Sequence, residues 1–519
     1  MTSQESSPGI FSYWKEDLSA SVVVFLVALP LCIGVAILSG VPAELGLVTG
    51  IVGGLIVGTF AGAPLQVSGP AAGLYVLVFD LVKEHGLPAL GVAVLVGGAI
   101  QLVAGALKLG RWFRAVSPGV IFGMLAGIGV LIFASQFHVL VDDAPQKQGW
   151  KNLMLIPQAI QKGLLPEHGW SHVELDGPAH HLAAVVGIVS LVCLLLWAKF
   201  RPEKLKIVPA PLIAVLVGTG LTAAFKWPVA KVKVPESMTE SLMTTDYSFL
   251  THPGVLGVAL ALAFIASAET LLCAVAVDKL HDGPRTQFDR ELMAQGVGNI
   301  ICGVLGALPM TGVIVRSSAN IGAGGKTRLA TVIHGFWLLV FVIALPFVIA
   351  YIPKAALAAI LVHTGAKLAN PAQVKTLARH GTTEVLIFFA TVIGIVGQSL
   401  LFGVLLGVVL SVVRMAVEIS TSENKSFKLS ALLEDHDDEG AHSLTLGGAA
   451  TFLSVPKLAE ALESLPKGAS VHVQHDDLVY LDAASLELLE AWHQQSSAAG
   501  GGLVGGEGTL KTLSSSTGG

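Results

Sequence analysis

The chain has 519 residues, 53% of them hydrophobic and only 13% charged, with a net charge of −5. Soluble domains carry about 25% charged residues, so this composition excludes an ordinary soluble protein. No basic stretch interleaved with aromatics points to nucleic acid, and the polar start Met1–Asp17 lacks a cleavable signal pattern.

Apolar runs long enough to cross a bilayer recur from Ser19 to Val417. Lipid offers backbone groups no partners, and the runs are too long and too evenly apolar for barrel strands, so they read as helices. The first set of spans falls near 17–39, 43–61, 70–83, 88–107, 118–138, 182–199 and 205–225. The second falls near 254–277, 290–307, 312–322, 329–350, 353–370, 382–397 and 399–418. The expectation is a polytopic all-α membrane protein of about fourteen segments. Pro30 and Cys32 interrupt the first span, Gln136 closes the fifth near His138, and Asp80 sits late in the third. The four cysteines, Cys32, Cys193, Cys273 and Cys302, lie within apolar runs without metal-ligand spacing, which predicts neither disulfides nor a metal site. Lysines and arginines collect in the even-numbered loops, including Lys108, Arg111, Arg114, Lys199, Arg201, Lys326 and Arg328. The positive-inside rule then places both termini in the cytoplasm of a multi-pass inner (plasma) membrane protein.

An internal repeat is visible. Gly50-Ile51-Val52-Gly53-Gly54 leads to Gly58, Gly62, Pro64 and Ser68-Gly69. Gly296-Val297-Gly298-Asn299 leads to Gly303, Gly306, Pro309 and Thr311-Gly312. In each, a glycine-rich span ends at a proline and a hydroxyl–glycine pair opens a short apolar stretch. The copies stand an odd number of spans apart, which makes a 7+7 inverted repeat of the kind many secondary transporters use. Repeat one covers about 17–225 and repeat two about 254–418, within a transport domain at 17–420 that follows a cytoplasmic segment at 1–16.

The short third and tenth spans carry the chemistry. Pro70 suits a first helical turn, leaving the N–H groups of Ala71, Ala72, Gly73 and Leu74 free, and Val313, Ile314 and Val315 repeat that arrangement. Helix N-termini hold about half a positive charge and bind anions. Arg316 adds a guanidinium with several donors beside the second of these starts. Glu269 is the carboxylate in the middle of the eighth span, and intramembrane carboxylates are functional candidates by default. A structural ion pair between Glu269 and Arg316 is the bland alternative. An enzyme is not expected, since no nucleophile–base arrangement appears, and no cofactor is implied.

From Thr421 to Gly440 the chain turns polar and reads as a linker. Beyond it, residues 441–519 read as a small cytoplasmic α/β domain, with strands at Ser443–Leu446 and Ser470–Gln474, helices at Ser454–Leu465 and Ala483–Gln495, and a frayed, truncated end over Gly500–Gly519.

These residues resemble the sulfate permease (SulP) family, which includes the solute carrier 26 group. The resemblance rests on Leu29-Pro30-Leu31, Gln66-Val67-Ser68-Gly69-Pro70-Ala71-Ala72-Gly73, Glu269-Thr270-Leu271, Asp289–Asn299, Arg316-Ser317 and Asn320. It implies a core domain and a gate domain, elevator-like movement, a homodimer, and a STAS-like identity for the C-terminal domain. It also implies a substrate site from Pro30, Cys32, Ser68, Gly69, Pro70, Ala71, Ala72, Gly312, Val313, Ile314, Val315 and Arg316. A coupling-ion site would involve Glu269 and Cys273. Leu31 stands where many sulfate carriers have glutamine. Sodium-coupled bicarbonate members tend to have aspartate and threonine where this chain has Glu269 and Cys273, which ranks the proton ahead of sodium. Asp482-Ala-Ala-Ser485 resembles a loop that carries a phosphorylatable serine, with an ordinary helix cap as the alternative.

The sequence therefore predicts a secondary transporter of a small inorganic oxyanion, of bicarbonate or sulfate class, by proton-coupled symport or exchange. An anion channel, a sodium-coupled bicarbonate carrier, a proton-coupled dicarboxylate carrier and a non-transporting membrane sensor or scaffold remain alternatives.

Overall fold

The computed structural model describes residues 12–509, apart from 111–116, 147, 165–179, 203–204, 206–207, 233–241, 243–244, 279, 282, 379–380, 422–429, 436–440, 451–457, 460, 463, 466–468, 476–477, 482, 499–500, 505 and 507. Arg111, Arg114 and Asp482 lie outside the described residues, as do residues 454–457, 460 and 463 of the helix expected over Ser454–Leu465. Two compact units are present, one of residues 1–110 with 128–368 and one of residues 111–127 with 369–519.

In the first unit, α1 (Trp14–Leu38) is followed by α2 (Ala43–Phe60), which contains a π-helical turn at Gly53–Val57. A three-residue strand β1 (Ser68–Pro70) precedes one 3-10 turn and α3 (Tyr75–His85). Then come α4 (Leu87–Ala106), α5 (Pro118–Leu140, which begins in the second unit), α6 (Gly149–Leu164), α7 (His180–Phe200) and α8 (Ala210–Ala224). The second half runs through α9 (Pro253–Asp278), α10 (Phe288–Leu305), strand β2 (Met310–Gly312), α11 (Ile314–Gly322), α12 (Leu329–Ala344) and α13 (Lys354–Leu368). Helices occupy the segments expected as spans. Six of them, α1, α2, α4, α5, α7 and α9, are long and apolar enough to cross a membrane, and shorter apolar helices accompany them.

Four expectations change. Pro30 does not interrupt α1, which continues through it to Leu38. Gln136 does not close α5, which runs to Leu140. The connection 139–181 holds α6, whose alternation of apolar and polar residues is too wet for a span but sufficient for an amphipathic helix. The short third and tenth spans do not begin as helices. Each starts as a strand, and the two pair antiparallel with Ser68 opposite Gly312, Gly69 opposite Thr311 and Pro70 opposite Met310. Pro70 explains part of this, because it lacks an N–H and biases Gly69 toward extended backbone. The ribbon is closed at both ends, by Ala71 N–H donating to Pro309 O at 3.0 Å and Val313 N–H donating to Val67 O at 2.9 Å.

Glycines let these layers approach. A Cβ on Gly303 would stand 2.4 Å from the backbone of Leu95, and one on Gly296 2.5 Å from that of Leu102, so α10 and α4 pack backbone to backbone.

The second unit contains α14 (Ala372–Ala378), α15 (Thr382–Gly397) and α16 (Leu400–Thr421). Glu384, buried in the first turn of α15, accepts from Ser117 Oγ at 2.6 Å and from Gly119 N–H at 2.7 Å at the start of α5. It also pairs with Arg414 of α16 at 2.9 Å. The negative carboxylate thus sits on a helix N-terminus and a guanidinium together, a favourable arrangement for a buried charge.

The same unit holds a five-stranded sheet. Strand β4 (Ala441–Ala450) pairs antiparallel with β3 (Ser430–Asp435) and parallel with β5 (Ser470–Gln474) and β6 (Leu478–Leu481). Helix α17 (Ala483–Ala498) follows, and β7 (Gly502–Leu503) returns beside β5. The segment read as a linker therefore carries β3, and the tail read as frayed carries β7. Leu444, Leu446, Val471, Val473, Leu486 and Leu489 form the core of this fold. Ser485 is buried and bonded to Ala450 O at 3.2 Å, which makes it a packed helix-start residue in this fold.

Candidate functional site

The β1–β2 ribbon divides the candidate site into two faces, because directly paired residues of an antiparallel ribbon point the same way and successive residues alternate. Gly69 and Thr311 share one face. Ser68, Gly312, Pro70 and Met310 share the other.

On the Gly69 face lies Arg316. It belongs to the first turn of α11, and its guanidinium folds back over the ribbon. A Cβ on Gly69 would stand 2.0 Å from Nη1 and 2.7 Å from Cζ. Arg316 is 1% exposed. Nη2 contacts Cys32 Sγ of α1 at 3.4 Å, while Nε and Nη1 have no hydrogen-bond partner among the described residues. No carboxylate pairs with it there. Gly50 of α2 also borders this corner, since a Cβ on it would stand 2.6 Å from Cys32 Sγ and 3.8 Å from Nη1. His334 of α12, also fully buried, lies within electrostatic reach of Arg316. Its Nδ1 is held by Thr331 O, leaving Nε2 without a partner. An isolated guanidinium in such surroundings is costly unless an anion answers it.

Glu269 enters from α9. Its carboxylate lies against Gly73, whose Cβ would stand 2.8 Å from Oε2. It faces the Gly73 N–H and the Thr311 hydroxyl. Neither Oε2 nor Thr311 Oγ1 completes a well-formed hydrogen bond. Cys273, one turn further along α9, packs with Leu65, Val277, Ile314 and Ile321. Glu269 and Arg316 are thus brought to one ribbon without forming an ion pair in this structure.

The opposite face is a buried polar network. Gln295 Nε2 donates to Ser68 Oγ at 2.6 Å and to Glu291 Oε1 at 2.9 Å. Gln66 Nε2 donates to the same Glu291 oxygen at 2.9 Å, and Ala63 N–H donates to Oε2 at 2.9 Å. Asn299 holds β2 through Met310 N–H and O, at 2.8 and 3.1 Å. Ser68 therefore points away from Arg316, into the framework that fixes the ribbon.

The starts of the two half-helices are as unequal as their sequences. α11 begins cleanly at Ile314 after Val313, whose carbonyl accepts Ser317 N–H at 3.0 Å, so Ile314, Val315 and Arg316 present free N–H groups. On the other side Ala71 N–H is bound to Pro309 O, and Ala72 and Gly73 belong to a 3-10 turn rather than an α-helix. Pro30 lies buried inside α1, two residues before Cys32. Sequence reasoning missed Thr311, His334, Gln66, Glu291 and Gln295. Thr311 carried a signal in the repeated hydroxyl–glycine pair, and Gln66, Glu291 and Gln295 stood within the segments that carry the family resemblance; His334 carried none.

Comparison with known proteins bears on the family and the fold. The sulfate permease family model matches residues 14–391. The putative sulfate transporter YvdB of Bacillus subtilis is 27% identical over 463 residues, covering 86% of this chain and 82% of its own length. The bicarbonate transporter BicA of a Picosynechococcus species is 26% identical over 433 residues, covering 78% of this chain and 71% of its own. Among solved structures, the transmembrane domain of a cyanobacterium bicarbonate transporter, BicA, matches with a TM-score of 0.64 at 23% identity, over 79% of this chain and 100% of that one. The murine Slc26a9 anion transporter matches with a TM-score of 0.63 at 15% identity, over 99% and 88%. At these identities the structural matches speak for the fold.

Proposed function

Because the chain belongs to the sulfate permease family, we propose that it is a secondary active transporter of a small inorganic oxyanion, of the bicarbonate or sulfate class. The observation that carries this is the Arg316 guanidinium, buried on Gly69 with two unbonded nitrogens and no carboxylate partner among the described residues. A small oxyanion at that corner would meet the guanidinium and the free N–H groups of α11, supplying the countercharge the site lacks. The names of the relatives, a putative sulfate transporter and a bicarbonate transporter, support the same class.

The finer reading is ours. Glu269 takes up a proton and couples it to the anion, by symport or exchange, with sodium ranked behind. The two halves form a 7+7 inverted repeat of about fourteen spans, a core moves past a gate as an elevator, and the C-terminal sheet is a STAS-like cytoplasmic domain of a homodimer in the plasma membrane. The antiparallel meeting of β1 and β2, one from each half, supports the inverted repeat, since two copies related by a two-fold axis in the membrane meet in that way.

The test is initial-rate uptake in proteoliposomes of labelled sulfate, bicarbonate and succinate under imposed proton and sodium gradients. Sulfate or bicarbonate uptake driven by a proton gradient, and lost in Arg316→Ala protein that still purifies as a single species, is expected. Undiminished uptake by Arg316→Ala would remove the guanidinium from the site. No flux of any anion would favour the sensor or scaffold, and flux that never runs uphill would favour a channel.

A further inference from the structure

Between the guanidinium and the carboxylate stands one side chain that the reading above leaves idle. Thr311 is fully buried, and its Oγ1 has no hydrogen-bond partner among the described residues. It lies directly across the ribbon from Gly69, the residue on which the Arg316 guanidinium rests. Paired residues of this kind are separated by about 5.5 Å at Cα, with side chains on the same face. On its other side the hydroxyl faces the Glu269 carboxylate.

We propose that the Thr311 hydroxyl couples the two halves of the site, donating its single proton either to Glu269 or to the anion at Arg316. This rests on the transport reading and deepens it. A threonine hydroxyl offers one O–H donor and two acceptor lone pairs. When Glu269 is ionised, it is the acceptor, and the O–H points to it. When Glu269 is protonated, the carboxyl O–H donates to a Thr311 lone pair, and the Thr311 proton turns to the anion. Proton uptake at Glu269 thereby supplies the anion with one more donor; apart from the O–H bond formed on the Glu269 carboxylate by the incoming proton, only hydrogen bonds change.

Other groups around Glu269 do not substitute for this link. Cys273 follows on the same helix, but its thiol engages Ser317 of α11. Ser317 itself is fully engaged, accepting from Val67 N–H at 2.9 Å and donating to Val313 O at 2.8 Å. Thr270 Oγ1 accepts from Gly312 N–H at 3.1 Å. Glu291 of α10, whose charge acts on Cys273, is bound within the opposite network. Gly73 N–H faces the carboxylate. Arg316 carries the remaining charge, and it lies on the anion's side.

The experiment is anion KM in proteoliposomes across pH for wild type, Thr311→Val, Thr311→Ser and Glu269→Gln, with size-exclusion profiles as the folding control. The wild type should bind more tightly in acid. Thr311→Val should raise KM roughly thirtyfold in acid, the worth of one hydrogen bond to an ion, and leave it near wild type in alkali, so its profile is flat. Thr311→Ser should restore the profile. In the Glu269→Gln background, Thr311→Val should lose the pH dependence of its effect. A Thr311→Val profile displaced by one factor at every pH, or Thr311→Ser behaving as valine does, overturns the proposal. Either result with Arg316-dependent uptake intact leaves the transport reading standing, whereas absence of uptake in the wild type removes that reading first.

Discussion

Replacing Gly69 by alanine tests the site through the residue on which the Arg316 guanidinium rests. The backbone there is not left-handed, so alanine is conformationally admissible. The new Cβ would stand 2.0 Å from Arg316 Nη1, 2.7 Å from Cζ and 3.2 Å from Nη2. Non-bonded atoms settle near 3.5 Å or beyond, so the guanidinium must retreat by about 1.5 Å. Because it is the tip of a long side chain, the fold can survive its movement. At an effective dielectric of about 20, a unit charge pair at ~4 Å is worth ~4 kcal/mol and at ~5.5 Å ~3 kcal/mol. Losing one charge-assisted hydrogen bond adds ~2 kcal/mol. The sum, ~3 kcal/mol, predicts anion KM raised about a hundredfold. The assay is initial-rate uptake over a range of anion concentrations, alongside thermal melts of purified protein. Gly257→Ala is the control, since a Cβ there meets nothing within 4 Å. An unchanged KM in well-folded Gly69→Ala protein would refute the placement of the anion at this guanidinium.

Three further predictions concern other groups. Glu269→Gln should flatten the pH dependence of uptake, measured as initial rates with and without an imposed proton gradient; a profile identical to wild type rules out its coupling role. Glu384→Ala should leave Ser117 Oγ, Gly119 N–H and Arg414 without their shared acceptor; breaking a buried pair costs about 3–5 kcal/mol, and an unaltered melting temperature would contradict that. Outside the spans, burial raises the pKa of Asp143, but hydrogen bonds from Lys162 and His138 and the Lys162 charge outweigh it and hold the carboxyl below its usual range. Its folded pKa being depressed, Asp143 stabilises the fold above the unfolded value and loses that contribution as pH falls through the folded value. Asp143→Asn should therefore narrow the difference in melting temperature between neutral and acid pH, and an unchanged difference would argue against the contact.

Much of the fold was legible because length and apolarity alone dictate spanning helices, and because glycine, proline and hydroxyl punctuation repeats around Ser68-Gly69 and Thr311-Gly312. Glu269 and Arg316 were legible as charges within apolar runs, where any ionisable group requires a reason. The ribbon was not. A half-helix start and a three-residue strand look alike in sequence, and the deciding fact is the pairing of two segments more than 200 residues apart. The Gln66–Glu291–Gln295–Ser68 network was hidden for the same reason. Glu291 opens α10 beside Asp289 and Arg290, where a carboxylate reads as an ordinary first-turn residue. Amphipathic α6 and strands β3 and β7 escaped because each lies in a segment whose composition reads as loop, linker or tail.

The two faces of the ribbon explain why one stretch of sequence supplies both machinery and scaffold. Alternation along Ser68-Gly69-Pro70 turns every second residue toward the guanidinium and the others toward Gln295 and its partners. The glycine is on the functional face because Arg316 needs its missing Cβ, and the serine is on the other because the Gln295 amide needs an acceptor. A polar residue in a transporter motif is therefore not a ligand by virtue of its place in the motif. The bonds among Gln66, Glu291, Gln295 and Ser68 tie down one face of the ribbon, so on the proposed reading one proton at Glu269 or one anion at Arg316 would register as a change in hydrogen bonding rather than in backbone.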